Sequence, residues 1–104
     1  MIDLEPYELA EVQRLLAHHL PGCEVRAFGS RLQGVARRYS DLDLAVVGRE
    51  RLDWRTLEAL KDAFSESDLR FRVDVVDWHA ISPEFQHIID RGYEVIQQAP
   101  AGGR

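Results

Sequence analysis

Two short apolar segments separated by a glycine–serine turn constrain this chain more than any other feature of its sequence. Residues 25–28 are apolar or β-branched apart from Arg26, which predicts a short buried strand. Gly29 and Ser30 then interrupt the strand, and glycine at such a position lets the backbone approach another group closely. The chain returns as a second predicted strand over residues 41–47. Any fold of this chain must therefore accommodate two strands and the turn that follows the first.

The second predicted strand carries two carboxylates on one face. Asp41 and Asp43 project from the same side because side chains alternate along a strand. Ala45 and Val47 are predicted to continue that face toward the core, and Leu42, Leu44 and Val46 to line the other face. Two like charges side by side do not stabilise a strand; they raise a pKa or require a cation. Paired hard oxygen ligands suit Mg²⁺, which keeps other positions for water and substrate phosphates. The pair therefore predicts a magnesium site.

The turn beside these acids is suited to phosphate. Ser30 offers a hydroxyl and can cap a helix predicted over residues 30–37, whose first N–H groups would point at a bound anion. A phosphate-binding turn next to a metal-binding acid pair provides the groups that catalyse phosphoryl or nucleotidyl transfer.

The whole stretch resembles the nucleotidyltransferase motif, in which Gly-Ser is followed by ten residues and Asp-x-Asp. In its fuller form, residues 29–31, Gly34 and residues 40–44 are similar to the minimal nucleotidyltransferase (MNT) antitoxins of prokaryotes, within the DNA polymerase beta-like superfamily. The resemblance extends over residues 6–97. It implies an α/β fold, with a single small nucleotidyltransferase domain over residues 1–98, a mixed β-sheet with helices packed on it, and a flexible tail over residues 99–104.

A third predicted strand carries one more acid. Residues 70–76 are strand-like, and Asp74 lies in the middle of them. Acidic residues are depleted in strands and a buried one needs a partner, so a third carboxylate beside the pair is the economical interpretation. The position also matches the third acid of the family pattern. Asp77, three residues further on, would project to the opposite face and is interpreted as structural or surface-exposed.

The resemblance implies magnesium-dependent transfer of a nucleotide, with ATP as the substrate. Asp41, Asp43 and Asp74 would be the catalytic residues and the ligands of one or two Mg²⁺ ions, and Asp74 would also help to remove the proton of the acceptor hydroxyl. The nucleotide-binding candidates lie in and around the turn: Gly29, Ser30, Arg31 and Ser40. Arg37, Arg38 and Arg72 are further phosphate candidates, although a solvated charge is the commoner case, and Tyr39 could lie near the adenine or on the surface.

The resemblance also implies a partner. MNT antitoxins are paired with a HEPN-family toxin, an α-helical ribonuclease, and the implied reaction transfers AMP to a tyrosine hydroxyl of that toxin. Larger nucleotidyltransferases carry a second domain that holds the acceptor, and we expect this short chain to receive its acceptor in trans. Two alternatives remain: a binding module that neutralises the toxin by occlusion, and a small-molecule nucleotidyltransferase of the aminoglycoside-modifying type. The intact set of acids favours the enzyme.

Charge and cysteine content exclude other classes. The formal net charge of −5 argues against direct binding of nucleic acid through its phosphates, and it is compatible with a basic protein partner. No apolar run approaches the length of a membrane span, and Cys23 is the only cysteine, so no intramolecular disulfide can form. We expect a soluble, cytoplasmic protein.

Three amphipathic helices and a last strand surround the motif. Apolar residues at helical spacing predict the first helix over residues 6–20. The second, capped by Asp53, is predicted to bury a face made of Trp54, Leu57, Leu60 and Phe64. The third begins at Ser82 and Pro83, ends at Gly92, and is predicted to bury Phe85, Ile88 and Ile89. Residues 93–96 are predicted as a strand or an extended segment.

Overall fold

The predicted strand pair forms the centre of a four-stranded sheet in the computed structural model, which describes residues 2–31 and 40–100. In that part of the chain the elements follow one another as α1 (Pro6–His19), β1 (Glu24–Phe28), β2 (Leu42–Val47), α2 (Trp54–Ser65), β3 (Val73–Asp77), a 3₁₀ turn (Trp78–Ala80), α3 (Pro83–Asp90) and β4 (Glu94–Gln97). The strand order is β3-β2-β1-β4, with β1 antiparallel to β2 and β4 and β2 parallel to β3. The predicted mixed sheet is confirmed.

One face of the sheet forms the main core. Leu42, Leu44 and Val46 alternate along β2 and share one face, as their spacing predicted, and all three are fully buried. The main core lies on this face, not on the face of Ala45 and Val47 that was predicted to point toward it. Helices α1 and α2 cover this face with Val12, Leu15, Leu16, Leu60 and Phe64. Burying a large aliphatic side chain contributes roughly 1.5–3 kcal/mol, so this layer supplies much of the stability.

Helix α3 packs on the other face. Its Phe85 ring meets Phe28 of β1 edge to face, with ring centroids 5.8 Å apart, and Ile89 is fully buried. Ile88, predicted to be buried, is 58% exposed instead. Phe85 and Ile89 are four residues apart and already occupy the one narrow face of this short helix that contacts the sheet.

Helix α2 also differs from its predicted burial at one end. Asp53 caps it by accepting a hydrogen bond from the Arg55 N–H, as predicted. Burial then increases along the helix from Trp54, which is 66% exposed, to Leu60 and Phe64 in the core. The helix thus packs through its second half, and the predicted core position of Trp54 is wrong.

The chain before β3 is tied to the start of α1. Glu8 is only 1% exposed, and its carboxylate accepts hydrogen bonds from Arg70, whose Nε lies 2.6 Å from Oε2. Glu8 also accepts a hydrogen bond from the Glu5 N–H in a capping box. The strand that follows starts at Val73, later than predicted.

A segment that we call the N-terminal strap, residues 2–5, crosses from β4 to the glycine–serine turn. The Ile2 N–H donates to Glu94 Oε1 at 2.9 Å, and the Asp3 N–H donates to the Arg31 carbonyl at 2.9 Å. Ile2 itself is buried in the main core. The strap therefore connects one edge strand with the turn that follows β1.

No helix in the described ranges is long and apolar enough to cross a membrane.

Candidate active site

Strand pairing places the predicted acids on one side of the sheet. In the parallel pair of β2 and β3, Asp43 is directly opposite Asp74, and neighbours in register project to the same face. Asp41 immediately precedes β2 and is exposed, Asp43 is half-buried, and Asp74 is exposed. Asp74 had been predicted in the middle of its strand as a buried acid, but it lies near the start of an edge strand and faces solvent. The three carboxylates still share one face, opposite the main core.

Gly29 and the carboxylate of Asp43 lie close together at the end of the strand pair. The φ of Gly29 is +86°, in the region that favours glycine, and a Cβ added there would overlap Asp43 Oδ2 and lie 3.2 Å from its Cγ. Glycine is thus required both by its backbone angle and by the carboxylate packed against it. The sequence predicted a close approach at this glycine, and the group that approaches is the carboxylate of Asp43.

The three carboxylates also interact through their charges. Burial raises the pKa of Asp43 first, and the nearby charges of Asp74 and Asp41 raise it further, to about 6. A carboxylate with this pKa is ionised at neutral pH while facing two other acids. This cluster therefore favours the binding of a cation.

The donor set fits Mg²⁺. Among residues 2–31 and 40–100, no group of three acidic, histidine or cysteine side chains is arranged so that all three could hold one metal ion. Mg²⁺ does not require one, because it is usually held by one or two carboxylates and keeps waters and substrate phosphates in its other positions. Asp41, Asp43 and Asp74 carry hard oxygen atoms, from which one or two such ligands can come.

Arg31, predicted to bind nucleotide, is buried beside the turn. Its side chain is 2% exposed, and its guanidinium donates to two backbone carbonyls, from Nε to Ser40 and from Nη1 to Asp3, both at 2.9 Å. The Cζ also lies 4.4 Å from the centroid of the Phe71 ring. These contacts hold the backbone on both sides of the guanidinium, and the prediction that Arg31 binds nucleotide stays a prediction.

Other predicted candidates divide into described and undescribed residues. Ser30 follows Gly29 in the turn and is half-buried, as is Ser40. The predicted helix over residues 30–37 begins with two residues that lie in a turn, and its remainder falls outside the described part of the chain. The candidates Gly34, Arg37, Arg38 and Tyr39 also fall on the undescribed residues 32–39.

A cleft of about 640 Å³ opens beside the acids, and the sequence did not predict it. Asp41 and Asp74 line one part of it, and Lys61 of α2 and Arg72 contribute positive charge. Arg72 lies next to the acid pair because its carbonyl accepts a hydrogen bond from the Leu42 N–H at 2.8 Å. The position of Lys61 carried no sequence signal beyond its charge, since it depends on how α2 packs against β3.

Asp77 projects away from the acids, as the alternation predicted. It is 5% exposed and accepts hydrogen bonds from the N–H groups of Leu52, at 2.7 Å, and His79, at 3.0 Å. Its role is structural, at the far end of β3 from the site.

Comparisons with known proteins agree with this geometry. The family described as "Polymerase beta, Nucleotidyltransferase" matches residues 12–100. The sequence is 48% identical over 97 residues to a Haemophilus influenzae protein named "Probable protein adenylyltransferase MntA", covering 93% of this chain and 85% of that protein.

Two solved structures share the fold. A chain of a toxin–antitoxin complex with AMP-PNP has a TM-score of 0.67 at 24% identity, over 91% of this chain and 77% of that one. A chain from the complex of the tri-AMPylated Shewanella oneidensis HEPN toxin with its MNT antitoxin has a TM-score of 0.62 at 20% identity, over 95% of this chain and 76% of that one. At these identities the likeness is one of fold.

Proposed function

Because the chain belongs to the polymerase beta-type nucleotidyltransferase family, we propose that it is an antitoxin that transfers AMP from ATP to a tyrosine hydroxyl of a cognate HEPN ribonuclease toxin. The observation that carries the proposal is the carboxylate of Asp43, packed against Gly29 and facing Asp41 and Asp74. Support for the nucleotide comes from the neighbour with AMP-PNP, and support for the acceptor comes from the neighbour with an AMPylated HEPN toxin. The relative named as a protein adenylyltransferase supports the reaction class.

The acids would bind the metal on which the reaction depends. Asp41, Asp43 and Asp74 would hold Mg²⁺, which when bound neutralises the charge of the triphosphate. Gly29 and Ser30 would hold phosphate from the turn that lies against Asp43. Asp43 lies between the turn and Asp74. A nucleotide held at the turn and an acceptor held at Asp74 would therefore lie on either side of Asp43.

Asp74 is the proposed base for the acceptor. It is exposed on edge strand β3 and lines the cleft, so a tyrosine side chain carried by another protein can reach it. Its carboxylate would take the hydroxyl proton while the phenolic oxygen attacks the α-phosphorus of ATP. The bond from the α-phosphorus to the bridging oxygen breaks, and diphosphate leaves.

The proposal is tested with ATP labelled at either its α- or its γ-phosphate. The purified protein, Mg²⁺ and a co-purified HEPN partner should give a labelled partner from α-labelled ATP only. Label from the γ-position would mean a kinase and would overturn the proposal. A stoichiometric complex without any label would favour neutralisation by occlusion.

Substitution of the acids tests whether labelling of the partner depends on them. The double variant Asp41→Asn with Asp43→Asn should fold and transfer no AMP. Asp68→Asn removes an exposed carboxylate outside the cluster and is the matched control, so it should transfer AMP at the wild-type rate. Transfer by the double variant at that same rate would remove the pair from the site.

A further inference from the structure

Arg31 contacts the segment before Asp41, the segment before Asp74 and the N-terminal strap. Its guanidinium donates to the carbonyl of Ser40, the residue directly before Asp41, and it lies over the ring of Phe71, in the segment that leads to Asp74. It also donates to the carbonyl of Asp3 in the N-terminal strap. One buried cation thus connects the turn, both acid-bearing segments and the strap.

We propose that Arg31 is a positioning residue that, together with the N-terminal strap, sets the distance between the glycine–serine turn and the acids. The inference rests on the proposed function, because the turn and the acids are taken to act on one nucleotide. Arg31 and Ser40 flank the segment between the turn and β2, and the hydrogen bond from Nε to the Ser40 carbonyl closes its two ends. This hydrogen bond therefore joins the residue after Ser30 to the residue before Asp41.

Burial explains why arginine is used. A guanidinium that is 2% exposed must have its donors satisfied, and backbone carbonyls on two sides provide acceptors in fixed positions. The planar group holds those carbonyls at set angles, which the single ammonium of lysine cannot do. A misplacement of about 1 Å can lower catalysis about 10²-fold, so a rigid link between turn and acids has a direct effect on rate.

The strap extends the link to the opposite edge of the sheet. Asp3 and Arg31 are paired twice, since the Asp3 N–H donates to the Arg31 carbonyl while Arg31 Nη1 donates to the Asp3 carbonyl. The preceding residue, Ile2, is buried and donates its N–H to Glu94 of β4. Strand β4 carries none of the three aspartates of the site, yet its Glu94 anchors the strap that contacts Arg31.

The experiment measures kcat and the KM for ATP in Arg31→Lys, Arg31→Met and Glu94→Ala. Arg55→Met, an exposed arginine of α2, is the control and should leave both unchanged. A positioning role predicts that kcat falls at least about tenfold in the Arg31 variants and about threefold in Glu94→Ala, with a smaller change in KM. A direct phosphate contact would instead raise KM at unchanged kcat and leave Glu94→Ala at the wild-type rate, which would overturn the proposal.

A second readout is independent of turnover. Amide hydrogen exchange should become faster in residues 2–5 and 40–43 of Arg31→Lys, while β1 keeps its protection. Unchanged exchange in both segments would overturn the positioning role even if the rate had fallen. If the wild type transfers no AMP, the proposed function fails and the exchange data alone decide on Arg31. Should Arg31→Met fail to fold, Arg31→Lys and Glu94→Ala still carry the test.

Discussion

Replacing Asp43 by asparagine should make the metal-free protein more stable at neutral pH. The pKa of this carboxyl is raised from 3.8 to about 6 by burial and by the charges of Asp74 and Asp41. The folded state therefore holds the proton more tightly than the unfolded chain does. Stability from this group is fully present below about pH 3.8 and is lost as the pH rises through about 6. The ionised carboxylate is thus a source of instability above that range.

The magnitude follows from the same shift. At about 1.36 kcal/mol per pKa unit, the change from 3.8 to about 6 corresponds to about 3 kcal/mol. Solvent screening of a half-buried side chain reduces this to about 1.5 kcal/mol. For a domain of this size, Asp43→Asn should raise the melting temperature by about 6–10 °C at about pH 8 in a chelating buffer.

Thermal unfolding followed by circular dichroism gives the measurement. The difference between Asp43→Asn and wild type should disappear near pH 3.5, roughly, where the aspartate is protonated in both states. Added Mg²⁺ should stabilise the wild type and have little effect on the variant, because binding to the folded state alone raises stability. Asp68→Asn, the exposed control, should change stability by less than about 0.5 kcal/mol. A variant no more stable than wild type at about pH 8 without metal would refute the reasoning.

Three further substitutions test other contacts. Gly29→Ala should destabilise the fold by about 2–4 kcal/mol and reduce AMP transfer at least about 10²-fold, because the added Cβ would displace Asp43. Urea unfolding and transfer assays measure both effects. Gly22→Ala is the control, because a Cβ added there meets no atom within 4 Å. Asp74→Asn should lower kcat more than about 10²-fold with little change in ATP affinity by calorimetry, and equal rates would exclude it as the base. Glu8→Ala should cost about 2–3 kcal/mol in urea unfolding, since it removes the capping box and the partner of Arg70; a loss below about 0.5 kcal/mol would show that this buried pair is dispensable.

Much of the site could be predicted because strand alternation is a local property. The spacing of Asp41 and Asp43 was enough to place both on the face opposite Leu42 and Leu44, and the structure confirms that placement. The close approach at Gly29 was also readable, since only glycine adopts its backbone angle easily.

The remaining features depend on contacts between distant parts of the chain. Arg31 follows the turn in the sequence and was therefore interpreted as a phosphate ligand, but its surroundings are set by Asp3, 28 residues away, and by Phe71. Asp74 is exposed because β3 lies at the edge of the sheet, and strand order is not visible in a local pattern. Helical periodicity identified the apolar face of α3 but not the width of its buried part, so Ile88 was wrongly predicted to be buried.

The anchoring of Ile2 by Glu94 has a consequence for how the protein is made. These two residues are 92 positions apart, so they belong to the beginning and to the last strand of the chain. On the ribosome, the first residues emerge long before Glu94 has been added, and during that time the strap has no carboxylate to hold it. A long-range contact of this kind forms late because the chain between its ends must close first. The turn and the acids are therefore linked to both edges of the sheet only after strand β4 has been synthesised.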